Sequence, residues 1–372
     1  MSAYSAAEAA GTAEALAPLL TPFSAAGLSL RNRFAMAPMT MQRSPDGVPG
    51  PWSVDHYRAV AAGGTGLLIT EGTVVRDPAS SVSSRIPRFH GEQSGAGWRT
   101  VVEAVHAEGA AIIPQLWHNG VLRGASPDSH PDVPSKSPSG VDLDGAPLGE
   151  ELTTAGIDSI IADFAESAAL AKQWGFDGLE LHGAHGYLLD EFVWSGTNRR
   201  TDRYGSAARM TFPVEVVKAV RAAVGPGFPV VYRFSQWKPG HYDARIVRTP
   251  AELEGFLRPL HEAGVDVFHP STRRHWQPEF TGEDARLGLA GWVKKLTGAP
   301  VIAVGSVGVD TEFRSDGAPL ADSRAHRLRL LAEQFDRGDF DVIALGRALL
   351  GDPAWVAKAT GGRAQEIVDY TG

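Results

Sequence analysis

Cysteine is absent from the chain. That absence excludes disulfides, thiolate metal sites and a cysteine nucleophile, while saying little about compartment. Also missing is any run approaching about 18 uninterrupted apolar residues, so no segment reads as a membrane span. The opening stretch, MSAYSAAEAAGTAEALAPLL, has no basic leading region and no long apolar centre, which makes it a poor secretion signal. It reads instead as a flexible, frayed tail over residues 1–18, with 19–372 forming one domain. No lysine-rich block interrupts the chain and the net charge is −8, so a nucleic-acid surface is not expected. These absences leave a cytoplasmic protein as the expectation, without a membrane or nucleic-acid partner.

What is present is a set of short, β-rich apolar runs: RFAMAP (33–38), GLLITEG (66–72), AAIIPQL (110–116), DGLELH (177–182), PVVYRFS (229–235), VDVFHPS (265–271), PVIAVGS (300–306) and DVIALGR (341–347). Each is nearly continuous rather than alternating, the pattern of parallel strands buried on both faces. Helical periodicity lies between them, over 157–175, 210–225, 250–264 and 323–338. Eight β-then-α units predict a single (β/α)8 barrel, an α/β fold; a doubly wound open sheet is the alternative that periodicity leaves open. Polar or glycine residues gather where the runs end, at Thr40, Gly72, Gln115, His182, Arg233, Ser271, Ser306 and Arg347. A barrel brings such ends together at one mouth. Two connections are too long for simple turns, 118–155 and 272–290, and lids after strands three and six are expected.

The stretch GLELHGAHGYLLD, 178–190, concentrates chemistry at the end of the fourth run. Two imidazoles, His182 and His185, aimed at one oxygen would polarise a carbonyl and stabilise the enolate formed from it. A metal site is the competing reading, but no third ligand or HExxH pattern accompanies the pair. Two histidines satisfied by loop backbone is the plain alternative. Tyr187 carries a phenol, whose reference pKa near 10 keeps a proton available for delivery; a buried structural tyrosine is the commoner fate of that residue type. At the last two runs, Gly305-Ser306 and Gly346-Arg347 form the kind of cradle in which backbone N–H groups and a guanidinium hold a phosphate.

These motifs, in this order, resemble the Old Yellow Enzyme family of flavin-dependent ene-reductases from about Leu19 to Trp355. The resemblance is carried by NRFAMAPMT, GLLITEG, PQLWHNG, ELHGAHGYLLDEF with TNRRTDRYG, VYRFS and the two glycine ends. It implies FMN at the barrel mouth, NADH or NADPH as hydride donor, and an acceptor with an activated C=C bond, in a monomer or homodimer. Thr40 then looks like the residue that bonds the flavin carbonyl, with Pro38, Met39 and Gly72 flanking the ring. Gln115 and Arg233 resemble binders of its pyrimidine edge. Gly305, Ser306, Gly346 and Arg347 fall at the phosphate. His182, beside the cofactor, and His185 match the pair holding the substrate oxygen, and Tyr187 the proton donor. Trp117 and Trp276 are expected to shape the substrate pocket. YGS at 204–206 and His275 depart from the family pattern, and no aromatic after Trp355 matches a pocket position. A desaturase, demethylase or nitroreductase on the same scaffold is the rival enzymatic reading. A flavin-binding protein without turnover would not need His182, His185 and Tyr187 together.

Overall fold

The apolar runs become eight parallel strands, which we number β1 (Phe34–Met36), β2 (Leu67–Val74), β3 (Ala111–Trp117), β4 (Leu179–Gly183), β5 (Val230–Phe234), β6 (Val267–Pro270), β7 (Ile302–Val304) and β8 (Val342–Leu345). The structure, a computed structural model, describes residues 5–312 and 318–371. Hydrogen-bonded neighbours run β6-β5-β4-β3-β2-β1-β8-β7. Parallel bridges between Phe268 and Val301 and between Ser271 and Val304 join the two remaining edges. The ring is therefore closed into a (β/α)8 barrel, and the open-sheet alternative falls. A helix follows each strand, from α1 (Pro51–Ala62), α2 (Glu92–Ala107), α3 (Thr154–Gln173) and α4 (Thr211–Val224) to α5 (Pro250–Ala263), α6 (Leu289–Thr297), α7 (Arg324–Asp336) and α8 (Trp355–Thr360).

Side chains alternate across a strand, so every second residue points into the barrel. The lower interior is filled by Ala35, Leu67, Ile69, Ile113, Val231 and Val267, which pack as one cluster. Phe23, Leu28 and Leu30 belong to that cluster too. They come from a hairpin, Phe23–Ala25 paired with Leu28–Leu30, that plugs the end opposite the mouth. Two residues further along β3, β5 and β6 the inward positions become Gln115, Arg233 and His269, joined by Glu180 of β4. Register fixes the match: Gln115 pairs with Glu180, and Arg233 with both His182 and His269. The interior thus changes from apolar to polar within one pleat.

The residues expected to fray do not do so where they are described. Ala6–Leu16 is a helix whose start is fixed by a capping box, with Ser5 Oγ accepting from Glu8 N and Glu8 accepting from Ser5 N. Ala9, Leu16 and Leu19 are buried in the main core. Small alanines give this helix a weak amphipathic pattern, which is why it reads as a tail. Of the two long connections, only that after β6 contributes walls to the mouth, through Ser271, Thr272 and Arg273. The 118–155 connection pairs Lys136–Ser137 with Glu150–Glu151 and packs Leu122 and Leu143 against the Gly186 turn of the β4 loop. The buried Arg123 guanidinium pins it by donating to Ser81 O, Ser129 O and His130 O at 3.0, 2.6 and 2.7 Å. Among the described residues no helix is long and apolar enough to cross a membrane.

If the N-terminal helix is part of the core, Leu16→Ala is expected to destabilise the fold by about 2–5 kcal/mol. Urea unfolding measures this; a frayed tail would leave the midpoint unmoved.

Candidate active site

A cavity of about 900 Å³ opens at the C-terminal ends of the strands. The β4 loop supplies its most concentrated chemistry. His182 is the second-last residue of the strand, and beyond Gly183 the chain turns through two left-handed residues, His185 (φ 63°) and Gly186 (φ 74°), before Tyr187. This turn throws three rings into one volume. The His182 ring centre lies 5.2 Å from that of His185 and 4.9 Å from that of Tyr187. Trp117 closes the group from β3, edge-to-face with Tyr187 at 4.7 Å. Its placement needs Gly72, because a Cβ there would come 2.2 Å from the indole. Gly72 therefore serves Trp117 from behind; it is not among the residues facing the cavity, where the sequence reading put it.

Electrostatics decide the form of the histidines. Burial pushes both imidazoles well below their ordinary value, reinforced by the nearby Arg233 guanidinium. Both are thus neutral, and each neutral ring has one N–H to donate. His182 Nδ1 accepts the Ala184 N–H at 3.4 Å, which leaves its own proton on Nε2. His185 Nε2 sits 2.9 Å from Ser271 Oγ. No group of three or more histidine or acidic side chains suited to a metal occurs among the described residues.

Beneath the rings lies the polar layer. Gln115 Nε2 donates to Glu180 Oε1 at 2.8 Å, and His269 Nδ1 lies 2.6 Å from Glu180 Oε2. Arg233 donates to Ser271 Oγ at 3.2 Å, yet its Nε is buried without a hydrogen-bond partner. An unpartnered guanidinium N–H beside a cavity is a donor in place for an electron-rich acceptor. Pro38, Met39 and Thr40 bound the cavity from β1. Their loop is tied down by Glu71, whose Oε2 accepts from Met41 N and Gln42 N at 2.8 and 3.3 Å. Burial pushes that carboxyl up to about 7.

On the opposite side, Gly305, Ser306, Gly346 and Arg347 line the same cavity. Gly305 cannot be replaced freely: an added Cβ would lie 2.6 Å from Thr272 Oγ1 and 2.7 Å from His275 N. Ser306 adopts a left-handed φ of 53°, and its hydroxyl donates to Arg273 O at 2.7 Å. Arg347 donates to Thr311 O at 2.8 Å, which fixes the guanidinium over the loop after β7. A planar group with a polar edge at Gln115 and Arg233 and an anionic tail at the two glycine ends suits this donor set.

Trp276, like Gly72, is not among the lining residues. It packs on the core outside the cavity, its ring 5.6 Å from the Arg327 guanidinium. The aromatic wall comes instead from the β5 loop, where Trp237 lies 4.6 Å from the His185 ring and 5.9 Å from Tyr242. Tyr370 also reaches the cavity from the far end of the chain. The signal for Trp237 is its position four residues beyond Arg233, still within reach of the mouth.

The sequence profile of the NADH:flavin oxidoreductase / NADH oxidase family matches residues 18–366. NADH oxidase of Thermoanaerobacter brockii is 35% identical, over 91% of this chain and 50% of its own. 12-oxophytodienoate reductase 7 of Oryza sativa subsp. japonica is 38% identical over 56% of each. The chain thus spans about half the length of these curated relatives. Among solved structures, morphinone reductase in complex with tetrahydroNAD superposes with a TM-score of 0.75 at 28% identity, covering 93% of this chain and 91% of that one. The profile covers nearly the whole barrel, including every strand end that builds the cavity: the chain belongs to the NADH:flavin oxidoreductase / NADH oxidase family.

Proposed function

We propose that this protein is an FMN-dependent reductase that uses NADH or NADPH to saturate C=C bonds activated by a carbonyl or nitro group. The observation that carries this reading is the cluster of two neutral imidazoles and a phenol beside a cavity with an unpartnered buried guanidinium N–H. Family membership supports the cofactor and the hydride donor. FMN, when bound, supplies hydride transfer from the nicotinamide to the acceptor's β-carbon.

The chain's own residues do the rest. Gln115 and Arg233 would hold the pyrimidine edge, and the positive guanidinium favours electron density gathering there. Gly305, Ser306, Gly346 and Arg347 would hold the phosphate, and Pro38, Met39 and Thr40 would flank the ring. His182 and His185 donate to the acceptor's oxygen. Being neutral, they give hydrogen bonds that strengthen as negative charge develops on that oxygen, which is the larger part of the catalysis. Tyr187 delivers a proton to the α-carbon. Trp117 and Trp237 confine the acceptor between them and keep its plane fixed.

The purified protein is expected to be yellow and to release FMN on denaturation; a colourless preparation that takes up no flavin refutes the reading. Tyr187→Phe is expected to slow acceptor reduction by roughly 10²–10⁴-fold while reduction of the flavin by NAD(P)H stays nearly unchanged. Stopped-flow measurement of the two half-reactions separates these, and equal slowing of both removes the proton-donor role. Because the two imidazoles are held neutral well below 6.5, affinity for a neutral enone should show no inflection near that pH. A titration of enone binding midway at an ordinary histidine value would contradict neutral donors.

A further inference from the structure

One buried charged pair takes no part in the chemistry above. Asp190 stands on the short helix Leu188–Val193 that follows Tyr187, and Lys238 in the loop after β5. Their charged groups are 2.9 Å apart, with side-chain exposures of 1% and 0%. Lys238 Nζ donates further to Ser235 O and Gln236 O at 3.3 and 3.2 Å. Asp190 Oδ2 also accepts the Gly186 N–H at 2.7 Å. One residue earlier, the His185 N–H donates to Ser235 Oγ at 2.9 Å. Two successive amides in the left-handed region are thereby tied to one loop, the first through Ser235 and the second through Asp190 and Lys238.

We propose that Asp190 and Lys238 are positioning residues that hold the His185–Gly186 turn, and through it the His185 imidazole and the Tyr187 phenol, in working register with an acceptor. The proposal rests on the function proposed above. Neither residue lines the cavity, so whatever they contribute passes through the turn. Stability alone is a poor reason for them. Two charges taken from water are seldom worth more than apolar residues of the same volume, whereas a buried pair does fix geometry, because each charge tolerates only one arrangement of its partners. The Gly186 N–H requires an acceptor, and a carboxylate anchored by an ammonium group cannot rotate away from it. The backbone strain of a left-handed histidine also has to be held from outside, since a non-glycine residue leaves that region when released.

Hydrogen exchange of the amides in 183–189 tests the tether without any cofactor. Lys238→Met is expected to speed exchange there about tenfold or more relative to the wild type. In flavin-loaded protein the same variant is expected to slow re-oxidation by 2-cyclohexenone, and to weaken binding of 4-chlorophenol read from the flavin spectrum, each about tenfold or more. The double variant Asp190→Asn/Lys238→Met buries no lone charge, so its unfolding temperature should return close to that of the wild type. Positioning predicts that re-oxidation stays slow and phenol binding weak in the double variant all the same. Recovery of both alongside the unfolding temperature overturns the proposal, as does wild-type exchange and re-oxidation in Lys238→Met. If Lys238→Met does not fold, the double variant decides by the same criteria. Failure of the wild type to bind flavin would count against the proposed function instead, and the exchange measurement would still decide on the tether.

Discussion

The Glu180 carboxylate, shared between Gln115 and His269 inside the barrel, is the interaction on which the mouth depends. It is fully buried, and a buried carboxylate is costly unless its oxygens are satisfied. Here each oxygen has a partner on a different strand, β3 on one side and β6 on the other. The bond network therefore does two things at once: it compensates the charge, and it fixes the rotation of Gln115 and His269. Arg233, in register with His182 on one side and His269 on the other, supplies the opposite charge. Without this layer, the inward positions next to the cavity would have to be apolar like those below. The cavity floor would then have nothing to offer a polar ring edge.

The same guanidinium links the floor to the rings above it. Arg233 is among the causes that push His182 and His185 downward, after burial itself. A group suited to holding an electron-rich cofactor edge thus also keeps the two donors uncharged. Neutral imidazoles bind a carbonyl oxygen without the desolvation cost of bringing a second and third cation into the pocket. The turn that presents them stores strain of about 1–3 kcal/mol at His185, whose φ is 63°. That cost is offset by backbone bonds to Ser235 and Asp190 at 2.9 and 2.7 Å.

Much of this was legible before any coordinates. Parallel strands buried on both faces are near-continuous apolar runs, so all eight strand positions were readable, and α4 and α5 end within a residue of their periodicity. Residues at the ends of those runs had to meet at one mouth once the barrel closed, which is why Thr40, Gln115, His182, Arg233, Ser306 and Arg347 face one cavity. What lay outside the pattern was harder. Trp276 sits in a long loop, and loop residues have no periodicity to say which way they point. Trp237 and Tyr370 reach the cavity from a loop and from the last residues of the chain, and only tertiary packing brings them there. Nor does anything in the sequence pattern show that the side of Gly72 lacking a Cβ is where Trp117 packs. The N-terminal helix was hidden by its alanines, although Ser5 and Glu8 stand at capping-box spacing.

The division of labour around the ring follows from where each kind of donor can be built. Side-chain donors need rigid strands beneath them, and β3 to β5 provide Gln115, His182 and Arg233 from paired, buried positions. An anionic tail needs close approach of backbone, which side chains obstruct. β7 and β8 are accordingly followed at once by Gly305 and Gly346, and Gly305 has no room for a Cβ. These two requirements conflict on any single strand, because a residue that carries a long donor cannot also expose its amide. Placing them on opposite arcs of the barrel resolves the conflict. A planar group held as proposed would then turn its polar edge toward Arg233 and its charge toward Arg347, two residues that line the same cavity. On that proposal the clustered rings of Tyr187, His182 and His185 are left to meet the second molecule rather than the first.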